Sequence, residues 1–244
     1  MLYGMLYSSN LFYNICIAFA IIAPYLICSI NPAIIAAKIK HGKDIREMGS
    51  GNPGLTNTLR TMGKGAAGLV LLFDVLKGVI SIFAVWGLYR LWWIQIAQPL
   101  SSYFDLRRIV FDYRSLSFFL WIAALSSVLG HCYPVYYKFK GGKAILVTVA
   151  TLFVIDWLAA LILLSLFIII VVITKYVSLG SVIAGSLYPV VVYVIGAYVW
   201  KKPPSVNNVG AVFSIAVAVL LVFKHRGNIK RLFNGTEKKL GRKE

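Results

Sequence analysis

Residues 49–60 read GSGNPGLTNTLR, and this polar stretch lies between two long apolar segments, residues 13–37 and 66–89. About 20 consecutive apolar residues are enough for a helix to cross the hydrocarbon core of a bilayer. We therefore expect the polar, glycine-rich stretch to lie at a membrane surface, between two transmembrane helices. What it can bind there depends on how the rest of the chain crosses the membrane.

The composition of the chain is that of a membrane protein. Of its 244 residues, 59% are hydrophobic and only 14% are charged, whereas about a quarter are charged in ordinary soluble domains. We predict an all-α, polytopic integral membrane protein that forms a single domain over residues 1–244, with about seven transmembrane helices. The predicted spans are residues 13–37, 66–89, 116–137, 144–157, 158–174, 181–200 and 207–223, with a tight turn at Asp156 between the fourth and fifth.

The distribution of basic residues predicts the orientation of the chain. With seven spans and a cytoplasmic C-terminus, the inner segments hold 18 Lys and Arg residues and the outer segments hold 6. Because cytoplasmic loops carry the excess of Lys and Arg, we predict that the N-terminus is outside and the C-terminus inside. Four polar clusters then share the cytoplasmic face, which predicts one polar site there; they are residues 49–60, 138–143, 175–181 and 223–232.

Two further segments flank the predicted helices. Residues 90–115 contain four arginines and form a predicted extracytoplasmic insertion, for which the sequence suggests no function. Residues 224–244 form a basic cytoplasmic tail, whose last lysines suit anionic lipid headgroups. The net charge of +17 is spread over short loops rather than over a basic soluble domain, so nucleic acid is not an expected partner.

The opening stretch has the residues of an anion site. Asn57, Arg60 and Lys64 are spaced i, i+3 and i+7, which would place them on roughly one face of a helix. A helix N-terminus with an arginine on that face can bind an anion, most commonly phosphate. The alternative is a polar loop in which Gly and Asn only form turns.

The sequence supports other polar residues as candidate functional residues to different degrees. KFKGGK (residues 138–143) is only loosely similar to a phosphate-binding glycine loop. His225 lies between two cations and three residues before Asn228, which suits a general base or a neutral hydrogen-bond donor to phosphate. Asp74 and Lys77 are expected to form an ion pair within the second span. The spacing of His, Cys and acidic residues predicts no metal site, and we expect no cofactor.

Four stretches in this order closely resemble the bacterial membrane-bound acyl-phosphate:glycerol-3-phosphate acyltransferase family (PlsY). They are GSGNPGLTNTLRTMGKGAAGLVLLFDVLKG (49–78), LGHCYPVYYKFKGGK (129–143), YVSLGS (176–181) and HRGNIKRLFNGTE (225–237). The resemblance implies catalytic roles for Ser50, Arg60 and His225. It also implies substrate-binding roles for Asn57, Gly141, Gly142, Lys143, Ser181 and Asn228, and supporting roles for Asp74, Lys77 and Glu237. The family has glycine where this chain has Ala144, which puts a need for backbone freedom there in doubt.

The family transfers a fatty acyl group from acyl phosphate to glycerol 3-phosphate, in the first acylation of phospholipid synthesis. The resemblance therefore implies acyl phosphate and glycerol 3-phosphate as substrates, bilayer lipid as surroundings and the enzyme that makes acyl phosphate as a candidate partner. It implies a site on the cytoplasmic side of the bacterial plasma membrane. Two alternatives from other classes remain: a small transporter or channel for a phosphorylated or other anionic solute, and a structural scaffold.

The predicted orientation can be tested by labelling single cysteines introduced near Asn10 and Gly235. Because of the charge bias, a membrane-impermeant maleimide should label the first site, but not the second, in intact cells. Permeabilised cells, in which both sites should react, are the control. Labelling of the Gly235 site from outside intact cells would contradict the orientation.

Overall fold

The computed structural model describes residues 2–92 and 113–240, and the regular structure of these residues is helical, without strands. The α-helices of this part of the chain are α1 (Leu2–Ser29), α2 (Pro32–His41), α3 (Leu55–Met62), α4 (Lys64–Trp92), α5 (Tyr113–Cys132), α6 (Ile145–Ile155), α7 (Trp157–Thr174), α8 (Val177–Val194), α9 (Pro204–Lys224) and α10 (Arg226–Phe233). A π-helical segment, Ile195–Val199, extends α8. The predicted all-α membrane fold is confirmed.

Within the described residues, six apolar segments are long enough to cross a membrane. They are Leu11–His41, Lys64–Leu91, Ser115–Tyr137, Trp157–Thr174, Val177–Val199 and Pro204–Lys224. The other predicted span, residues 144–157, forms the shorter apolar helix α6. The count of seven transmembrane helices and their orientation stay predictions. Most of the predicted insertion, residues 93–112, lies outside the described residues.

The first apolar segment is interrupted, so the prediction of one helix over residues 13–37 is wrong. Proline disfavours the helical conformation of the residue before it, and Asn31 accordingly has an extended backbone, with φ −110° and ψ 105°. The Asn31 side chain caps α2 by accepting hydrogen bonds from the backbone N–H groups of Ala33 and Ile34, at 3.0 and 3.1 Å. The break leaves the end of α1 and the start of α2 within the wall of the bundle.

Two helix ends lie near the predicted site, and the first of them differs from the prediction. Gly63 ends α3 with a φ of +85°, so Lys64 belongs to the next helix and does not share one helical face with Asn57 and Arg60. At the end of α9, the backbone of His225 leaves the helical region, with φ −96° and ψ 3°, and α10 begins after it. His225 and Asn228 therefore do not lie on one continuous helix.

The predicted turn at Asp156 is confirmed. Asp156 separates α6 from α7, and its side chain caps α7 by accepting a hydrogen bond from the backbone N–H of Ala159. The same carboxylate accepts hydrogen bonds from Trp200 at 3.0 Å and Lys202 at 3.1 Å. The turn is thereby fixed to the end of the bundle where the π-helical segment closes α8.

The short length of α6 creates a recess at the opposite end of the bundle. α6 has 11 residues and α7 has 18, and the two helices pack against each other after sharing the turn at Asp156. At 1.5 Å per residue, α6 stops roughly 10 Å short of the other end of α7. The last part of the loop that precedes α6, residues 141–144, is therefore set below the surface of the bundle, whereas residues 138–140 are exposed.

Apolar side chains fill the bundle and also cover its outside. The largest buried cluster of the described residues joins α1, α5, α6, α7, α8 and α9 through residues such as Trp121, Leu152 and Tyr188. On the outside, large aliphatic side chains remain exposed, for example Val172 at 59% and Ile173 at 75%. Such a surface is expected where lipid rather than water surrounds the protein.

The residue at which the sequence departs from the family, Ala144, has a left-handed backbone conformation, with a φ of +59°. An L-residue with a Cβ atom is disfavoured there by roughly 1–2 kcal/mol. The departure therefore does not remove the unusual backbone conformation, which this chain adopts with alanine.

We expect Ala144→Gly to lower the free energy of unfolding less than Ala150→Gly does, with a difference of about 1 kcal/mol or more between the two variants. The reason is that only residue 144 has the left-handed conformation that favours glycine. Ala150 is a matched control, since it is 3% exposed within α6 and Ala144 is 2% exposed at its start. The free energy of unfolding in mixed micelles provides the measurement. Equal losses in the two variants would contradict a strained alanine at 144.

Candidate active site

The recess opens into a cavity of about 780 Å³. Its polar end is formed by the loop of residues 49–60, the loop before α6, the start of α8, the junction of α9 and α10, and the tail. The inner part is apolar and is lined by side chains such as Leu146, Val149, Leu152, Leu163, Phe167 and Leu221. The four polar clusters that the sequence predicts at one face therefore meet at this site, together with the tail.

Asn57 organises the first loop from within. Its side chain is 1% exposed, and its carbonyl oxygen accepts a hydrogen bond from the backbone N–H of Ser50 at 2.8 Å. Its amide nitrogen donates to the backbone carbonyl of Met48 at 2.9 Å. Gly49 has a φ of +56°, and a Cβ atom there would lie only 2.4 Å from the Asn57 oxygen. The amide of Asn57 is thus committed to the backbone, and its predicted binding of substrate stays a prediction.

Ser50 and Arg60 are presented to the cavity by this loop and by α3. Both are exposed, and both line the polar end of the cavity. In the part of the chain that the structure describes, no residue forms a hydrogen bond or ion pair with the Arg60 guanidinium. A guanidinium in such a position is available to bind an anionic ligand through two parallel N–H groups.

The glycines of the second loop allow it to pack on the end of α5. The backbone N–H of Gly141 donates to the carbonyl of Cys132, and that of Gly142 donates to the carbonyl of His131, at 3.2 and 3.1 Å. A Cβ atom on Gly141 would lie 2.1 Å from the His131 carbonyl oxygen. Gly141 lines the cavity, whereas Gly142 lies behind this lining. Their contribution in the structure is to place Lys143.

Lys143 begins a chain of polar contacts that the structure shows and the sequence did not predict. Its ammonium donates a hydrogen bond to the Asn228 oxygen. The Asn228 nitrogen donates to Glu237 at 2.7 Å, and Arg231 donates to the other Glu237 oxygen at 2.6 Å. Glu237 thus joins the tail to α10, a position that fits its predicted supporting role. Arg231 was not predicted, although the FKHRGNIKRL cluster contains it.

Burial and the groups around this chain shift the pKa values of two of its members. Burial, reinforced by the charges of Arg231 and Lys224 and opposed by Glu237, lowers the pKa of Lys143 to about 8. Burial acts to raise the pKa of Glu237, but hydrogen bonds from Asn228 and Arg231 outweigh it and hold that pKa below its ordinary value. Glu237 therefore stays ionised beside a lysine that can lose its proton in mildly alkaline solution.

His225 lies at the break between α9 and α10 and is 3% exposed. Its Nδ1–H donates to the carbonyl of Leu221 at 2.8 Å, because a carbonyl can only accept. Nε2 of the neutral ring is therefore an acceptor. Burial, together with the nearby charge of Lys143 and against the hydrogen bond to Leu221, lowers the pKa of His225 to about 4. This geometry favours an acceptor of a substrate hydroxyl over a donor to phosphate.

The remaining predicted residues also lie at or beside the cavity. Ser181 lines it from α8 and donates its hydroxyl hydrogen to the carbonyl of Val177 at 2.9 Å. The predicted ion pair is confirmed, with 2.8 Å between Lys77 Nζ and Asp74 Oδ1. Asp74 lines the cavity below the two loops. Over residues 2–92 and 113–240, no group of three His, Cys, Asp or Glu side chains is arranged to hold a metal ion.

This combination defines a class of protein. Cations at the mouth of an apolar cavity, within a bundle of membrane-length helices, suit an amphiphilic substrate with an anionic head and a fatty chain. A hydrolase or carrier that acts on a fully polar ligand would not need an apolar interior in its cavity. The site is thus that of a membrane protein that acts on lipid-like molecules.

Comparison with known proteins identifies the family. The family model described as glycerol-3-phosphate acyltransferase matches residues 18–235. A glycerol-3-phosphate acyltransferase of Chlorobaculum tepidum is 36% identical over 239 residues, covering 91% of this chain and 97% of that protein. One from a Thermoanaerobacter species is 39% identical over 224 residues, covering 92% and 95%. The chain belongs to the glycerol-3-phosphate acyltransferase family.

Solved structures show the same relationship. The crystal structure of PlsY (YgiH), an integral membrane glycerol 3-phosphate acyltransferase, in its glycerol 3-phosphate form is similar with a TM-score of 0.69 and 31% identity, covering 92% of this chain and 96% of that chain. Its lysophosphatidic acid form is similar with a TM-score of 0.65 and 29% identity, covering 94% and 95%. The protein is therefore an integral membrane acyltransferase, and the transporter, channel and scaffold alternatives are not supported.

Because the pKa of Lys143 is lowered to about 8, its ammonium loses its proton as the pH rises through that value. We expect kcat/KM for a phosphorylated substrate to fall above pH 8 in the wild type. Lys143→Arg should remove this alkaline limb, since a guanidinium stays charged up to about pH 12. Lys140→Arg, an exposed neighbour in the same loop, is the control that should keep it. An unchanged limb in Lys143→Arg would contradict the assignment.

Proposed function

We propose that the protein transfers a fatty acyl group from acyl phosphate to the sn-1 hydroxyl of glycerol 3-phosphate, giving lysophosphatidic acid and inorganic phosphate. The observation that supports this proposal is one cavity that combines Arg60 and Lys143 at its mouth with an apolar interior. Each proposed substrate carries a phosphate, and the acyl donor also carries a fatty chain. The family and the resemblance to acyl-phosphate-dependent enzymes support the same reaction.

The two phosphates require cations and hydrogen-bond donors at the mouth of the cavity. Arg60 would bind a phosphate through paired N–H groups, and Lys143 would bind one as a point charge with a hydrogen to spare beyond its bond to Asn228. Ser50 and Ser181 add hydroxyl groups on either side. The acyl chain would lie among the apolar side chains of α6, α7 and α8. Binding both substrates in one cavity brings the hydroxyl close to the acyl carbon.

The reaction needs no covalent intermediate on the protein, because acyl phosphate is already activated. The glycerol hydroxyl oxygen forms a bond to the acyl carbon, and the bond between that carbon and the phosphate oxygen breaks. The phosphate leaves with the electron pair and takes up the hydroxyl proton. The protein contributes orientation of the two substrates and fixed charges that stabilise the transition state. No cofactor is required for this balance.

His225 is suited to orient the attacking hydroxyl. Its Nε2 is the acceptor nitrogen of the neutral ring and can accept a hydrogen bond from the glycerol hydroxyl, which directs a lone pair of that oxygen at the carbonyl carbon. A base with a pKa of about 4 takes up a proton poorly at neutral pH. We therefore assign the final uptake of the proton to the departing phosphate and the positioning to His225.

The cellular setting follows from the predicted topology. With the C-terminus inside, the protein lies in the plasma membrane of a bacterial cell and the mouth of its cavity faces the cytoplasm. Glycerol 3-phosphate is soluble in the cytoplasm and can reach the site from there. The acyl donor would enter from the bilayer. The enzyme that makes acyl phosphate is the candidate partner at this face. Lys238 and Leu240 of the tail line the cavity, and the Leu240 N–H bonds the carbonyl of Lys175 at 2.8 Å, so the tail is part of the mouth.

The proposed reaction is tested by measuring phosphate release and lysophosphatidic acid formation with purified protein in detergent. Both products should appear in equal amounts when acyl phosphate and glycerol 3-phosphate are present. Without glycerol 3-phosphate, neither should appear above the rate of spontaneous hydrolysis. Activity with acyl-CoA but not with acyl phosphate would overturn the proposed donor.

A pair of exchanges links this activity to the cavity. Arg60→Lys should lower kcat/KM by about 10–100-fold, because a charge-assisted bidentate contact contributes roughly 1.5–3 kcal/mol. Lys64→Arg is the matched control, since it makes the reverse exchange four residues away, at an exposed position outside the cavity. Near-normal kinetics in Arg60→Lys would contradict its role.

The assignment of His225 predicts that His225→Gln keeps kcat within about tenfold of the wild type, since the amide oxygen can replace Nε2 as an acceptor. A general base would instead cost about 10²–10⁴-fold. Because the pKa of His225 is lowered to about 4, its ring should not change protonation near neutral pH. Titration of this ring should therefore leave the kcat of the wild type unchanged there. His225→Ala should be clearly slower than His225→Gln. Unchanged kinetics in both variants would leave His225 only a structural role.

A further inference from the structure

His131 is a buried polar residue of the cavity to which the proposed reaction gives no role so far. It lies in the last turn of α5, is 4% exposed and lines the cavity beside Asp74. From the sequence, its side chain is most simply interpreted as packing at a helix end. The contacts of its two ring nitrogens indicate more than packing.

The contact of Lys77 with Nδ1 determines which nitrogen of His131 carries the proton. Lys77 Nζ lies 2.8 Å from Asp74 Oδ1, 2.8 Å from the Ile30 carbonyl oxygen and 3.0 Å from His131 Nδ1. An ammonium has hydrogens to donate and no lone pair, so it can only donate to Nδ1. Nδ1 must therefore accept, and the proton of the neutral ring is on Nε2.

The Nε2 edge of the ring faces the meeting point of the two loops. A Cβ atom on Gly142 would lie 2.3 Å from Nε2 and 3.1 Å from the Pro53 carbonyl oxygen. That carbonyl already accepts a hydrogen bond from Asn31 at 3.1 Å. None of the residues in 2–92 and 113–240 forms a hydrogen bond with Nε2, so a buried N–H group is held at the cavity wall without a protein acceptor.

We propose that the Nε2–H of His131 donates a hydrogen bond to the carbonyl oxygen of the acyl donor, which makes His131 a further catalytic residue. This inference rests on the proposed acyl transfer. Phosphate oxygens are charged before the reaction and suit the cations at the mouth. The carbonyl oxygen gains negative charge only when the hydroxyl attacks, and it suits a neutral donor fixed in advance.

The surroundings of His131 fix this donor before the substrate arrives. Lys77 occupies Nδ1, and the backbone at Gly142 packs so close to the Nε2 edge that a Cβ atom there would lie 2.3 Å from Nε2. The backbone carbonyl of His131 also accepts the Gly142 N–H, so the ring and the second loop share one anchor. The donor thus needs no reorganisation during the reaction, which is the condition for strong stabilisation of a developing charge.

Two substitutions separate the donor from its structural contact. In His131→Asn, the side-chain oxygen can replace Nδ1 as the acceptor for Lys77, but the cavity loses the Nε2–H donor. In His131→Gln, the amide nitrogen can replace Nε2 as the donor, but Lys77 loses an acceptor. His41→Asn, at an exposed histidine outside the cavity, is the control for the exchange itself.

With acyl phosphate and glycerol 3-phosphate, His131→Asn should lower kcat by about 10²–10³-fold, the usual effect of removing one such donor, with little change in KM for glycerol 3-phosphate or in melting temperature. His131→Gln should keep kcat within about tenfold but lower the melting temperature. His41→Asn should match the wild type. A wild-type kcat in folded His131→Asn, or a loss in His131→Gln as large as in His131→Asn, would overturn the inference.

A spectroscopic measurement keeps the inference testable if neither variant folds. In wild-type protein labelled with [¹⁵N]histidine, one buried ring should show a protonated Nε2 and a bare Nδ1. Its Nε2–H resonance should shift when a non-reactive acyl phosphonate binds. Nδ1–H tautomers in both buried rings, or no shift on binding, would overturn the inference. Wild-type protein that is inactive with acyl phosphate would instead overturn the proposed function.

Discussion

The buried ammonium of Lys77 constrains the arrangement of the helices around the site. Away from water, each of its three hydrogens needs an acceptor, because an unsatisfied charge in a bilayer is costly. Its partners come from three places: Asp74 on the same helix forms an ion pair, and the hydrogen bonds go to His131 at the end of α5 and to the carbonyl of Ile30, which the end of α1 leaves without a helical partner. The break in the first apolar segment, which looks like a defect in a membrane helix, thus supplies a required ligand of this charge.

The depth of the site depends on a second constraint, the length of α6. Its far end is fixed by Asp156, which holds Trp200 and Lys202, and its near end is fixed by the glycine loop on the last carbonyls of α5. A helix of 11 residues between these two points draws the loop into the bundle. Lys143 is thereby carried to the boundary between polar and apolar surroundings. If the phosphate of the proposed acyl donor were held there, its acyl chain would contact apolar side chains.

The cations at the polar mouth differ in whether contacts with the protein already hold them in place. Lys143, Asn228, Glu237 and Arg231 form one connected chain, which orders the tail and holds an amine whose pKa is about 8. Arg60 stands apart from this chain, on a helix placed by the buried amide of Asn57. One cation is thus pre-positioned by protein contacts while another is presented to the ligand. Such an arrangement suits the two anionic substrates of the proposed reaction, which would bind next to each other.

The sequence by itself determined the membrane class, the apolar segments, the turn at Asp156 and the gathering of four polar clusters, because hydropathy, length and local turn chemistry are encoded by neighbouring residues. It predicted Asp74 and Lys77 as a pair for the same reason, since they are three residues apart on one helix. It could not show that the side-chain amide of Asn57 is hydrogen-bonded to the backbone, or that α3 ends at Gly63. The tertiary structure alone decided the contacts of Lys77 with Ile30 and His131, 47 and 54 residues away, and of Lys143 with Asn228, 85 residues away. The hydrogen bonds of these groups join residues that are distant along the chain, so their partners, and with them the tautomer of His131, are fixed only when the helices pack.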